Sequence, residues 1–223
     1  MKLLVKRMCT VVSSLILVLE LHGVGYCESS VGLLPTGKND SVGAEQGYGE
    51  ALGIYRELAK TNPQTYLPDV AMTLNNLGLL QAGKNDFAGA EQGYGEALLI
   101  YRELTKTNPQ TYLPFLAGTL NNLANLQAGK NDCAGAEQGY RESLQIRREL
   151  AKTNPQIYLP DVAMTLNNLG LLQAGKKDYV GAEQGHGEAL GIYRELAKTN
   201  PPLYLPYVAT TLNNLANLQA GKK

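Results

Sequence analysis

The sequence is poor in the side chains on which catalysis, metal binding and disulfide bonding depend. Its 223 residues include no tryptophan, two histidines and three cysteines. Three cysteines, two of them (Cys9 and Cys27) ahead of the repeated part of the chain, do not make a disulfide framework. Of the histidines, His22 lies near the N-terminus and His186 stands where other units carry tyrosine, so His186 is interpreted as a packing residue and not as a metal ligand.

The chain also lacks an excess of charge of either sign. Lysine plus arginine equals aspartate plus glutamate at 20 each. Without a net charge there is no long-range field that would attract nucleic acid or an anionic membrane surface. We therefore expect a protein or peptide partner and no nucleic acid.

No catalytic set can be assembled from the polar residues. No serine or cysteine stands at a motif spacing from a base, and carboxylates such as Glu91 fall on helix faces that should be solvated. The segment from Gly78 to Lys84 fits the first seven positions of a phosphate-binding loop, but Asn85 follows where serine or threonine would hold magnesium. We expect neither an enzyme nor a bound cofactor or metal.

The first 27 residues differ from the rest in composition. Three basic residues among the first seven precede an apolar run from Met8 to Leu19, and small residues follow. This order is typical of a secretory signal peptide, and the run is too short to span a bilayer as a mature helix. Residues 1–27 are predicted to be a signal peptide, which makes the mature protein secreted or periplasmic. The alternative is a retained apolar leader on a cytoplasmic or membrane-associated protein.

The rest of the chain consists of repeats. The phrase Thr-Leu-Asn-Asn-Leu begins at Thr73 and returns every 46 residues, at Thr119, Thr165 and Thr211. A fixed period of this length is the signature of a solenoid built from one supersecondary unit. The period divides the chain into a half repeat with only a second helix at 28–66, full repeats at 67–112, 113–158 and 159–204, and a half repeat with only a first helix at 205–223.

Each full repeat has the pattern of two helices. The first is predicted to start at Pro68, because proline in a first turn needs no N–H donor, and to stop at Gly83. Asp86 is placed to cap the second helix, which should end before Pro109, since a residue before proline is pushed out of the helical region. Apolar residues recur at three- and four-residue steps in both helices, which gives each helix one buried face.

Several glycines fall inside each second helix, as at Gly89, Gly93 and Gly95. A glycine in the middle of a helix costs about 0.5–1 kcal/mol relative to alanine. We therefore expect these helices to fray at their starts. Alanine in place of Gly93 or of Gly95 is expected to raise the melting temperature.

The helical hairpin resembles a tetratricopeptide repeat. The resemblance rests on Leu77 and Gly78 late in the first helix and on Ala90, Tyr94 and Ala97 in the second. The phrase Ala-x-Thr-Leu-Asn-Asn-Leu, with Tyr-Arg-Glu-Leu in the second helix, is similar to the kinesin-light-chain-like subclass. The resemblance implies an all-α, right-handed superhelical solenoid of antiparallel helix hairpins. It also implies a non-catalytic interaction scaffold that binds a peptide or partner protein in its concave groove.

In the family that the chain resembles, the first helices line the groove, and asparagines there can bond the backbone of an extended ligand. No lysine or arginine accompanies them here, so the groove is not expected to clamp carboxylates. An equally open alternative is a ladder of asparagine hydrogen bonds between neighbouring repeats, since buried amides must find partners. The candidate groove residues are Met72, Asn75, Asn76, Leu79, Asn121, Asn122, Asn125, Met164, Asn167, Asn168, Leu171, Asn213, Asn214 and Asn217.

A second function stays open beside the scaffold, that of a self-assembling structural repeat protein. The half repeats leave a second helix with Tyr48 and Leu52 and a first helix with Leu212 and Leu215 without hairpin partners. One molecule's last helix could then complete another molecule's first helix. Such head-to-tail contacts form open oligomers unless a rotation closes them into a ring.

Overall fold

The computed structural model describes residues 38–221, which form eight helices and no strand. The predicted signal peptide at 1–27 lies outside these residues. No helix within 38–221 combines the length and the hydropathy that crossing a membrane requires. The helices are α1 (Lys38–Thr61), α2 (Pro63–Gly83), α3 (Phe87–Thr107), α4 (Pro109–Gly129), α5 (Cys133–Thr153), α6 (Pro155–Gly175), α7 (Tyr179–Thr199) and α8 (Pro201–Gly221).

The first helix of each unit starts earlier than predicted. α2 begins at Pro63 and Pro68 lies inside it, so the predicted start at Pro68 is wrong. Asn62 is the single residue between α1 and α2, and its side chain accepts a hydrogen bond from the Thr65 amide at 3.3 Å. An asparagine cap followed by proline at the first helical position is a complete start signal by itself. A single asparagine also separates the later units, at Asn108, Asn154 and Asn200.

The turn inside each hairpin follows the prediction. α2 ends at Gly83, and the Gly89 amide donates to the Asp86 carboxylate at 3.1 Å, which caps α3. Asn85 adopts a left-handed backbone conformation with φ of 63°, which asparagine tolerates better than most residues. The predicted stop and cap are therefore confirmed.

Close approach of helices explains one of the glycines in α3. A Cβ atom added at Gly93 would lie 3.1 Å from the carbonyl oxygen of Leu74 in α2, whereas one added at Gly95 would meet nothing within 4 Å. Arg141 occupies the position of Gly95 in the next unit. Close packing of the α2 backbone therefore opposes the gain that alanine at Gly93 is expected to bring, whereas nothing within 4 Å opposes it at Gly95.

The helices form one row of hairpins with an inner and an outer layer. The first helices α2, α4, α6 and α8 contact one another in sequence along the inner side. The second helices α1, α3, α5 and α7 lie outside, and no two of them come within 8 Å between Cα atoms in the described part of the chain. Buried clusters fill the space between the layers along the row. The predicted all-α solenoid is confirmed.

Candidate functional site

The inner face of the array carries a line of exposed apolar side chains. They come from the first helices, and their exposed fractions lie between 37% and 51%. We call the positions of Asp69, Met72 and Leu79, together with the equivalent positions at intervals of 46 residues in the other first helices, the inner stripe. Its apolar exposed members are Met72, Leu79, Phe115, Leu171 and Tyr207.

The predicted groove residues fall into three groups by exposure. Met72, Leu79, Leu171, Asn213 and Asn217 are exposed. Asn121 is fully buried and Asn122 is nearly so, which corrects their placement on an open surface, because α4 is packed between α2 and α6. The half-buried ones are Asn75, Asn76, Asn125, Met164, Asn167, Asn168 and Asn214. Ligand binding by any of them stays a prediction.

The asparagines of α2, α4 and α6 bond to one another across the junctions between units. Asn122 Nδ2 donates to Asn75 Oδ1 at 3.1 Å, and Asn168 Nδ2 donates to Asn125 Oδ1 at 3.2 Å and more weakly to Asn121 Oδ1 at 3.5 Å. These bonds are the inter-repeat ladder that the sequence left as an alternative. The amides therefore fix the relation between successive units.

The second residue after the repeated phrase Thr-Leu-Asn-Asn-Leu alternates between two environments. Asn125 accepts a hydrogen bond from the Tyr140 hydroxyl at 2.6 Å and is half-buried. Leu79 and Leu171, at the same position one unit away on either side, point outward and are exposed. At this position the inner stripe thus presents an apolar side chain in alternate units.

Sequence reasoning missed that acidic and aromatic residues alternate at one position of successive first helices on the inner stripe. Phe115 stacks on Tyr101 with ring centroids 5.7 Å apart, and Tyr207 stacks on Tyr193 at 5.2 Å. Asp69 and Asp161 hold the equivalent positions in the alternate units. The signal was present as a spacing of 92 residues, twice the repeat, between the two aspartates and between the two aromatic residues.

The two aspartates have different surroundings. Burial raises the pKa of the Asp69 carboxyl. Burial is also the main cause that raises the pKa of the Tyr101 hydroxyl, and the charge of Asp69 adds to it. Burial also raises the pKa of Asp161, but the nearby Arg147 guanidinium acts in the opposite direction. Asp69 accepts no hydrogen bond and forms no ion pair within residues 38–221. Its charge is therefore available to a ligand.

Arg147 is a buried cation where other units place tyrosine. Its Nη1 donates to the Asp161 carbonyl at 3.0 Å and to Thr165 Oγ1 at 2.5 Å. Its Nε is buried and finds no hydrogen-bond partner among the described residues. The junction of α5 with α6 is therefore polar, whereas the junctions on either side hold stacked rings.

His186 belongs to a hydrogen-bonded chain that links three helices. Its Nδ1 donates to Asn167 Oδ1 at 2.9 Å, and Asn167 Nδ2 donates to Thr211 Oγ1 at 2.7 Å. Burial lowers the pKa of the His186 imidazole below its ordinary value. The ring fills the place that Tyr94 and Tyr140 occupy in other units, as a packing residue should.

The outer face carries a regular row of ion pairs between units. Arginines of one second helix reach glutamates of the next, and the three pairs repeat every 46 residues. Lysines from the hairpin turns make a second row, for example Lys130 with Glu91. The three arginine pairs are Arg56 with Glu96 at 2.6 Å, Arg102 with Glu142 at 3.0 Å and Arg148 with Glu188 at 2.6 Å.

Comparison with known families agrees with this architecture. A family model described as Tetratricopeptide repeat matches residues 70–109 and 116–156. The third unit belongs with them, because residues 159–176 repeat residues 67–84 letter for letter. Two units of the chain, at residues 70–109 and 116–156, therefore match the tetratricopeptide repeat, and the kinesin-light-chain-like type stays a prediction.

Solved structures share the fold. The crystal structure of BtubC (BKLC) from P. vanneervenii matches with a TM-score of 0.60 and 24% identity over 82% of this chain. The chain spans 66% of that structure, just under two thirds of its length. Two crystal structures of MamA match with TM-scores of 0.44 and 0.40 at 11% and 12% identity, over 82% and 84% of this chain and 88% and 97% of theirs. No curated protein matches the chain.

Proposed function

We propose that the protein is a non-catalytic scaffold that binds an extended segment of a partner protein along the inner stripe. The row of exposed apolar side chains on that face carries the proposal. Apolar side chains that are grouped on one surface, instead of scattered singly, mark an interaction site. A solenoid places the same position of successive units in a row, which suits an extended chain better than a compact ligand.

The amide ladder supports this function indirectly. Asn122 is bonded to Asn75, and Asn168 to Asn125, across the junctions, so these amides are not free to follow a ligand backbone. They hold successive units in a fixed relation, and a groove with fixed geometry loses less entropy when a ligand binds. The ligand contacts are therefore assigned to Leu79 and Leu171 instead of the buried asparagines.

The charge of the inner stripe favours a ligand with basic and apolar residues. The stripe carries Asp69 and Asp161 and, within the described residues, no lysine or arginine. Phe115 and Tyr207 stand one unit beyond each aspartate with partly exposed rings. A lysine or arginine side chain gains from a carboxylate and from the face of an aromatic ring together. Asp69 should bind a lysine or arginine of the ligand more strongly than Asp161 does, because the Arg147 guanidinium already compensates the charge of Asp161.

A peptide-display selection against the full chain tests the proposal. We expect enriched peptides to carry lysine or arginine next to apolar residues. In calorimetry with one enriched peptide, Leu79→Asn combined with Leu171→Asn should weaken binding about tenfold or more, because two apolar contacts are lost. The variant should fold, since asparagine already stands at the equivalent Asn125 and Asn217.

Leu99→Asn is the matched control, because Leu99 is an exposed leucine on the outer helix α3. It should leave peptide affinity unchanged. Asp69→Asn should remove the preference for basic peptides and leave apolar binding in place. Enrichment of acidic peptides, or equal loss of binding in the Leu99 control, would contradict the proposal.

A further inference from the structure

The side chains of the inner stripe repeat every two units and not every unit. The same three residue types stand on two alternate first helices: Asp69, Met72 and Leu79 on α2, and Asp161, Met164 and Leu171 on α6. A different set stands on the other two: Phe115, Gly118 and Asn125 on α4, and Tyr207, Thr210 and Asn217 on α8. The three positions on α2 are called the first acidic site, and those on α6 the second acidic site.

The stripe is open even where first helices flank it on both sides. Leu171 lies on α6, which contacts both α4 and α8, and its side chain is 51% exposed. Phe115 lies on α4, which contacts both α2 and α6, and is 47% exposed. Exposure at these positions is therefore a property of the inner face itself.

Each acidic site combines a carboxylate with apolar side chains on one helix face. Met72 follows Asp69 by three residues and Leu79 follows Met72 by seven, and both spacings keep side chains on the same face of a helix. A lysine or arginine side chain lays its apolar stem on apolar surface and keeps its charged head free. Met72 is therefore placed to contact the stem while Asp69 contacts the head, and Leu79 is placed to contact a neighbouring apolar residue of the ligand.

The two acidic sites differ in one neighbouring residue. Arg147 lies beside the second acidic site, but its Nη1 donates to the backbone carbonyl of Asp161 and to Thr165 Oγ1. Within residues 38–221 no ion pair joins Arg147 to the Asp161 carboxylate. Tyr55 holds the equivalent position for the first acidic site. Both carboxylates are therefore free of an ion pair in this part of the chain, and the second one has a cation nearby.

The separation of α2 and α6 determines which ligand residues reach both acidic sites. α4 lies between these helices and contacts each of them. Packed helices are about 8–10 Å apart, so two steps span roughly 16–20 Å, which an extended chain at about 3.3–3.6 Å per residue covers in about five or six residues. An even spacing places both side chains on the same side of an extended strand, and this requirement selects six.

We propose that the inner stripe binds a partner segment that carries two lysine or arginine residues about six positions apart, one at each acidic site. Apolar residues of the segment lie between them and contact the exposed ring of Phe115. The inference rests on the proposed function of the inner stripe and specifies the sequence pattern of the segment that the stripe binds. Since the stripe carries carboxylates and, within the described residues, no lysine or arginine, its charge is complementary to such a segment.

Titration calorimetry of the full chain with two synthetic peptides of equal composition tests the spacing. Both peptides carry two lysines among leucine, serine and glycine and have blocked ends; the lysines are about six positions apart in one peptide and about three in the other. The first peptide should bind about two- to fivefold more tightly, because it gains one more exposed ion pair. Equal affinity of the two peptides, or no measurable binding of either, would overturn the proposal.

Two variants identify the second acidic site. Asp161→Asn should remove the preference for the first peptide, whereas Glu103→Gln, which removes an exposed carboxylate from the outer helix α3, should leave the preference unchanged. Arg147→Tyr introduces the residue that stands at Tyr55 and removes the nearby guanidinium. It should tighten binding of the first peptide about two- to fivefold, a gain that a purely structural role of Arg147 would not produce.

The outcomes separate this inference from the proposed function. A preference for the first peptide that survives Asp161→Asn would overturn the inference, because the second lysine would then bind elsewhere. If both peptides bind equally and the combined change of Leu79 and Leu171 to asparagine weakens both, the inference is wrong and the inner stripe is still the binding surface. If the combined change has no effect on either peptide, the proposed function itself is contradicted.

Discussion

Positions that differ between otherwise similar units are substitutions that the molecule already contains. His186 takes the place of Tyr94 beside Gly170, which matches Gly78 in the first unit. Arg147 takes the place of Tyr101 and turns a stacked junction into a polar one. At the scale of the residue, the effect of such a difference can therefore be judged by comparing equivalent positions in neighbouring units.

The histidine at position 186 should make stability depend on pH. Burial lowers the pKa of His186 below 6.5 in the folded protein, so the unfolded chain binds more protons between the folded pKa and 6.5. Stability is therefore greatest above pH 6.5 and falls as the pH is lowered through this window. The melting temperature should be lower at about pH 5.5 than at about pH 7.5.

His186→Tyr is the matched variant, because tyrosine fits the same pocket in the first unit. It keeps every other titrating group, and the drop in melting temperature between the two pH values should shrink. An equal drop in both proteins would assign the pH dependence to groups other than His186.

At the scale of the helix, Gly93 and Gly95 in α3 should respond to alanine in opposite ways. Gly95→Ala adds a methyl group in open space and should raise stability by about 0.5–1 kcal/mol, or about 2 °C in melting temperature. Gly93→Ala places a methyl group against the Leu74 carbonyl oxygen and should lower the melting temperature. Thermal unfolding followed by circular dichroism checks both changes; a gain in both variants would show that α2 and α3 move apart at little cost.

The sequence predicted the turn inside each hairpin better than the start of the first helix. Gly83 and Asp86 act locally, within one turn of the chain, and were read correctly. The start of α2 depended on choosing between Pro63 and Pro68, two prolines that local rules treat alike. Only the side chain of Asn62, which caps the helix, favours the earlier one.

At the scale of the whole molecule, the sequence predicted the solenoid and which helices line its inner face. It did not predict which asparagines are buried, because burial depends on how closely one unit packs on the next. Asn121 and Asn213 occupy the same place in the same phrase, yet Asn121 is buried between units and Asn213 is exposed on α8.

Asn121 and Asn213 give a test of the amide ladder within one sequence motif. Asn121→Ala removes a buried amide from the middle of the array and should cost about 1–3 kcal/mol of unfolding free energy. Asn213→Ala removes an exposed amide and should change it by no more than about 0.5 kcal/mol. Urea unfolding measures both. Equal effects would mean that the ladder does not hold the units together.

The inner and outer edges of each junction are joined in different ways. The first helices contact one another directly along the inner edge, whereas Arg102 and Glu142 bridge separated second helices at the outer edge. Salt screens such exposed pairs over a distance of about 8–10 Å. We therefore expect the outer edge of each junction to become more compliant as ionic strength rises. The pitch of the array should then depend on the salt concentration as well as on the packing of its helices.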